Sequence, residues 1–217
     1  MFEKTERTKI ARKPDRGRYD RETVHAIIDE ALYCHVGIVV NERPVVIPTA
    51  HWRQGDRLYM HGSRVSRLIE VMAAGADICV TITLLDGLVL ARSGFHHSMN
   101  YRSVVIFGQA APIEGRRAKL AAMRAFMERI APGRWDELRP PTGKEIAATG
   151  IVALKLDEAS AKVRAGPPAD DEADYAHPVW AGVVPVTESL GEPVPDPSLA
   201  PGIALPAYLG RRTGAKG

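Results

Sequence analysis

Residues 43–67 read Arg43-Pro44-Val45-Val46-Ile47-Pro48-Thr49-Ala50-His51-Trp52-Arg53-Gln54-Gly55-Asp56-Arg57-Leu58-Tyr59-Met60-His61-Gly62-Ser63-Arg64-Val65-Ser66-Arg67, and they decide the fold. Val45–Trp52 is apolar and rich in β-branched residues, which predicts a strand. Gln54-Gly55-Asp56 is a turn signal, and Arg57–His61 is a second strand. Gly62-Ser63 then opens a short helix whose apolar face is Val65, Leu68, Ile69 and Met72. Two strands joined by so short a turn pair antiparallel, because a parallel pair needs a long crossover.

The flanking sequence extends the same pattern. Asp20 is an N-cap, followed by one apolar face of Val24, Ile27, Ile28, Ala31 and Leu32. His35–Val40 reads as a strand turning at Asn41-Glu42-Arg43-Pro44. Asp77–Leu84 is a strand, Asp86-Gly87 is a hairpin signal and Leu88–Ser93 is its return. A long strand runs from Tyr101 to about Ile113, and a helix covers Arg116–Ile130 with Leu120, Met123, Met127 and Ile130 on one face. Thr142 caps a short helix, and Gly150–Leu156 is the last clear strand. Six or seven strands with few intervening helices do not alternate as βαβ units do. The expected class is α+β, a closed antiparallel barrel with peripheral helices.

The 217 residues allow one domain with appendages. Residues 1–19 read as a basic arm, 20–165 as the barrel domain and 166–217 as an extended proline-rich tail. Nine of the sixteen prolines lie beyond Gly166. The net charge of +3 is split, because residues 1–21 carry eight Lys/Arg and residues 165–200 carry seven Asp/Glu and no Lys/Arg. A nucleic-acid binder concentrates basic charge on its folded part, so no nucleic-acid partner is expected. Cys34 and Cys79 form no CxxC pair, and no apolar run spans a bilayer. A cytoplasmic protein without a membrane partner is the expectation.

Three segments carry candidate chemistry. In Tyr59–Arg67 a strand passes a glycine and enters a helix, where free N–H groups, Ser63, Ser66 and the Arg67 fork suit an anion. A capping serine with solvated arginines explains the same residues equally well. The spacing matches neither a Walker A loop nor GxGxxG. In Val46-Ile47-Pro48-Thr49, a proline within an apolar strand marks an edge or bulge whose backbone can meet a flat ligand. Phe95-His96-His97-Ser98 has adjacent histidines, but strand neighbours point to opposite faces and no carboxylate is near in sequence, so no metal site is expected. Cys34 reads as a buried structural cysteine rather than a nucleophile.

Taken in order, Cys34-His35-Val36-Gly37, Arg43–Thr49, Arg57–Ser63, Asp86–Ser93 and His96–Val104 resemble the pyridoxamine 5'-phosphate oxidase-like FMN-binding split-barrel family. Within it they are most similar to the nitroimidazole-resistance (Nim-type) flavoproteins, over roughly residues 15–186. The resemblance implies a six-stranded split barrel, a homodimer and FMN at the subunit interface. It places Val46, Ile47, Pro48 and Thr49 along the flavin ring, with Tyr59, Met60 and His61 continuing that wall. Ser63, Ser66 and Arg67 would hold the phosphate, Arg102 and Ser103 would complete the contacts, and Trp180 would close over the flavin or anchor the tail. His61 is the candidate catalytic histidine. The chain departs from true pyridoxamine phosphate oxidases at Thr49, where they carry a basic residue, and at Arg211-Arg212, which lacks their C-terminal arginine context. The implied function is an FMN-dependent oxidoreductase acting on a small planar acceptor such as a nitroaromatic or quinone. A flavin-storage protein and a heme- or deazaflavin-binding relative are the alternatives.

Overall fold

A computed structural model describes residues 1–210; Arg211 and Arg212 lie outside the described residues. The chain forms β1 (Gly17–Arg18), α1 (Arg21–Glu30), β2 (Tyr33–Val40), β3 (Arg43–Gln54), β4 (Arg57–Ser63), α2 (Arg67–Ala73) and β5 (Asp77–Leu90). There follow β6 (Ser98–Pro112), α3 (Arg116–Ile130), α4 (Gly143–Ala148), β7 (Thr149–Lys155), β8 (Glu158–Arg164), β9 (Gly182–Pro185) and α5 (Ala207–Gly210).

Every strand pairing is antiparallel. The neighbours run β6-β7-β4-β3-β2-β5, and β5 pairs back onto β6, which closes a ring of six. This is the split β-barrel of an α+β fold. On the edge of β6 away from β5, β8 takes residues 101–107 and β7 takes 110–112. Inward side chains alternate as the pleat requires. Val36 and Ile38 of β2, Leu58 and Met60 of β4, Val80 and Ile82 of β5, and Val104 and Ile106 of β6 meet in one core with α1 and α2.

Local signals place the helices. Asp20 caps α1 through the Thr23 N–H at 2.7 Å, and Thr142 with Glu145 forms a reciprocal capping box on α4. Two expectations fail. Asp86-Gly87 is no hairpin: β5 runs on to Leu90 with only a register shift between Leu85 and Gly87. The reason is tertiary, because β9 pairs with Gly87–Leu90 and holds that stretch extended. A Cβ on Gly87 would come within 2.8 Å of Val183. The turn falls instead at 91–97. The last strand is also not 150–156, since β8 follows and pairs with β6. Residues 158–164 mix Lys, Glu and Ser with small apolar residues, so strand alternation is weak there.

The ends are fastened to the barrel. Phe2 is buried in the core, and Arg7 pairs with Glu158 and with Asp77 at 2.6 Å. Among the described residues no helix is long and apolar enough to cross a membrane.

Candidate functional site

The barrel splits where β3 and β4 part. Their pairing covers Gln54–Arg57 to His51–Met60 and stops there. Beyond it, residues 43–50 of β3 pair only with β2 and residues 61–63 of β4 only with β7. The backbone of Val46, Ile47, Pro48 and Thr49 is thus left along one edge facing His61, Gly62 and Ser63. Val46 and Pro48 are exposed, while Ile47 packs on the core. Proline suits such an edge, since it has no N–H to leave unpaired.

The chain after Ser63 turns straight into α2. The cap is Ser66, whose hydroxyl accepts from the Ile69 N–H at 3.4 Å, so the helix begins three residues later than Gly62-Ser63 predicts. The 64–69 turn lies tight on β7, where a Cβ on Gly150 would sit 2.4 Å from Ile69 and 3.2 Å from the Arg64 Cα. Arg67 is exposed at the first helical position. Val46–Thr49 therefore lie along the split, with Ser63 at the end of β4 and Ser66 and Arg67 at the start of α2, whereas His61 lines a cavity beneath α3.

Within β4 the two faces differ. Met60 points into the barrel core and is fully buried. Tyr59 and His61 face outward beneath α3. Tyr59 stacks on Trp52 with centroids 5.4 Å apart, and His61 meets Trp52 at 5.8 Å and Phe126 at 4.4 Å. Here α3, the 134–141 segment and β4 enclose a cavity of about 1000 Å³, with walls including Leu120, Met123 and Met127. Arg124 and Arg139 line it too, paired with Asp136 at 3.1 Å and Glu145 at 2.5 Å. The Arg139 hydrogen bond and the Thr142 N–H hold the Glu145 carboxyl down to about 2. His61 Nδ1 is buried without a hydrogen-bond partner, and burial pushes the imidazole pKa down, which keeps it neutral near pH 7.

Arg102, Ser103 and Trp180 stand elsewhere. Arg102 pairs with Leu84 and Val163 across the sheet, ten residues along β6 from the Pro112 end that adjoins β7. Its guanidinium grips Asp86 at 2.7 and 3.0 Å and Glu30 at 2.8 Å. Ser103 Oγ donates to the Lys162 carbonyl at 3.4 Å. Trp180 is 65% exposed, its indole folded over Gly182. Cys34 is inert, because burial pushes its thiol up to about 12.

The histidine pair lies in the β5–β6 loop rather than on a strand. His97 Nδ1 donates to the Ser93 carbonyl at 2.9 Å, whereas His96 turns to the tail and meets Asp171 at 3.3 Å. Asp174 joins them, with one ligand atom from each of the three within 4.8 Å of the others. Carboxylates absent from the neighbouring sequence thus arrive from 75 residues away. The α3 cavity was also not legible as a site; its one sequence signal was the apolar face of α3.

The family model described as pyridoxamine 5'-phosphate oxidase matches residues 20–163. The chain belongs to the pyridoxamine 5'-phosphate oxidase family. Among solved members of this split-barrel family, the flavocytochrome Anf3 from Azotobacter vinelandii is 45% identical with a TM-score of 0.92, covering 96% of this chain and 97% of that one. The FAD and heme binding protein from Mycobacterium smegmatis is 38% identical with a TM-score of 0.88, covering 92% and 98%. A candidate 5-nitroimidazole antibiotic resistance protein from Bacteroides thetaiotaomicron is 23% identical with a TM-score of 0.57, covering 68% and 86%, and shares the fold. Comparison with curated protein sequences returns no match. The likeness to the first two extends through the proline-rich segment as well as the pyridoxamine 5'-phosphate oxidase barrel.

Proposed function

We propose that this protein binds both a flavin and a heme and passes electrons between them and a small acceptor. The observation that carries the reading is His61, a half-buried imidazole whose pKa burial lowers, in the wall of a mostly apolar cavity of about 1000 Å³. A neutral imidazole with a free ring nitrogen is the usual protein ligand of heme iron. The residues fit such a group. Trp52, Phe126, Met123 and Met127 offer an apolar lining with flat ring faces, and the Arg124–Asp136 and Arg139–Glu145 pairs give its rim polar groups. The relatives that are 45% and 38% identical are described as a flavocytochrome and as an FAD and heme binding protein, which supports the pairing.

The flavin belongs at the split. The Val46–Thr49 edge offers backbone groups to a flat ring, and Ser66 with the Arg67 fork suits a phosphate. FMN satisfies that cleft, and FAD would add a nucleotide half beyond it. Arg102 is held by Asp86 and Glu30 within its own chain, and the working unit is read as a homodimer in which a second copy completes the flavin site. Bound flavin and heme supply the electron transfer; the chain's part is to orient them, exclude water and keep His61 unprotonated.

Absorption spectra of the purified full-length protein test this. A Soret band beside the flavin bands is expected, and His61→Ala should lose the Soret band while keeping the flavin. A protein that takes up flavin but no heme would leave a Nim-type flavin reductase or a flavin store, separated by whether NADPH bleaches the flavin. A protein that takes up neither overturns the reading.

A further inference from the structure

The arm, the β5–β6 loop and the end of β8 enclose another cavity, of about 630 Å³, away from the barrel split. Arg12, Lys13 and Arg16 line it from the arm, Lys162 and Arg164 from β8, and His97 from the loop. No carboxylate lines it among the described residues. Such a one-signed wall repels itself and is stabilised by an anion.

Arg164 is the deepest of these groups. It is 8% exposed and has no carboxylate partner among the described residues. Its guanidinium donates to the Asn100 side-chain oxygen and to the Gly166 and Pro167 carbonyls, each at 3.2 Å, while its Nε is buried and unpartnered. Burial first, and Arg16 next, work against its charge. A buried guanidinium stays protonated, so the missing element is a counter-charge. The tail acids nearby do not reach Arg164: Asp170 pairs with Arg92 at 2.9 Å, and Asp171 meets His96, which also lines the cavity, at 3.3 Å.

We propose that this cavity binds an organic diphosphate, the pyrophosphate of a nucleotide lying among Arg12, Arg16, Lys162 and Arg164. A lone phosphate monoester brings about two negative charges against five Lys/Arg groups, so a diphosphate matches the wall better. Phe95, 90% exposed, and Tyr101 line the same cavity and offer ring faces for a base. The site does not depend on the flavin and heme reading, because pyrophosphate alone probes it.

The test is calorimetric titration of the full-length protein with pyrophosphate, ADP and adenosine at low salt. Pyrophosphate and ADP should bind and adenosine should not. Joint substitution of Arg12→Ala and Arg16→Ala should weaken pyrophosphate roughly tenfold or more, since each charged hydrogen bond carries that order. These two lie on the arm, so the folded state is expected to survive and circular dichroism checks it. Arg164→Gln should weaken binding at least as much. Two further titrations separate the sources, and either positive result supports the site. If the arm variant retains FMN but loses FAD, the diphosphate is the flavin's own; if flavin content holds and KM for NADPH rises, it is the donor's. No binding of pyrophosphate by the unaltered protein, or equal binding by the arm variant, overturns the proposal.

Discussion

The imidazole of His61 and the ring of Phe126 lie 4.4 Å apart with planes tilted by 56°, one carried by β4 and the other by α3. That contact ties α3 to the barrel and shields the ring nitrogen of His61 from water. Phe126→Ala should destabilise the fold by about 2 kcal/mol, below the full range for buried phenylalanine because the ring is half-buried. It should also return the His61 pKa toward its ordinary value, since burial is what lowers it. Urea unfolding measures the first effect and an NMR titration the second; an unmoved His61 pKa would remove Phe126 as its shield.

Acid should weaken the fold in a histidine range. His25, His51 and His61 all have pKa values lowered chiefly by burial. The unfolded chain protonates them near their ordinary value, whereas the folded chain does not, so the unfolded state binds more protons there. Their stabilisation is complete above that value and is lost as pH falls through it, at up to about 1.4 kcal/mol per pH unit for each histidine. His51 Nε2–H donates to the Ile28 carbonyl at 2.9 Å, and His51→Gln can keep that bond without titrating. Melting temperatures of this variant between pH 7 and 5 should show a shallower slope than the parent protein.

Gly150 is a packing requirement. A Cβ there would fall 2.4 Å from an Ile69 methyl and 3.2 Å from the Arg64 backbone. Gly150→Ala should cost about 1–3 kcal/mol, as overpacking does, and Ile69→Leu, which lacks the Cγ2 methyl, should recover part of it. The denaturant midpoint reports both. If the double variant is no better than the single one, the Ile69 contact is not the cause.

Arg102 clamps three elements, joining β6 to Glu30 at the end of α1 and to Asp86 on β5. The carboxylate hydrogen bonds hold its pKa above the ordinary value. Because the partners are partly solvated, Arg102→Ala should cost only about 1–2 kcal/mol, and the loss should shrink in high salt. A salt-independent loss in chemical unfolding would point to packing of its stem instead.

Arg67→Ala should weaken flavin binding by about 1.5–3 kcal/mol, the usual worth of a charged hydrogen bond. Fluorescence titration of the stripped protein reads this directly. Unchanged affinity in a folded variant would remove Arg67 from the phosphate site.

The local part of this architecture was written in neighbouring residues. Asp20 and the Thr142–Glu145 box mark helix starts because a cap needs only a side chain three residues from an N–H. The 43–67 segment shows two strands and a helix because period and turn chemistry are short-range properties. Tertiary structure decided the rest. Asp86-Gly87 carries a turn signal, yet the incoming β9 keeps it extended, since strand pairing outweighs a weak local preference. β8 exists because an edge of β6 was open to it, not because its sequence alternates strongly. The split depends on where β3–β4 pairing stops, and the His61 cavity on where α3 lands. Likewise, Arg164 looks like an ordinary strand-end arginine in the sequence, and only burial beside Asn100 and the basic arm leaves its charge facing dipoles and no carboxylate among the described residues. Residue type sets what each side chain can do; the distant neighbours brought by the barrel determine which of those groups are left unsatisfied, and those are the candidates for binding.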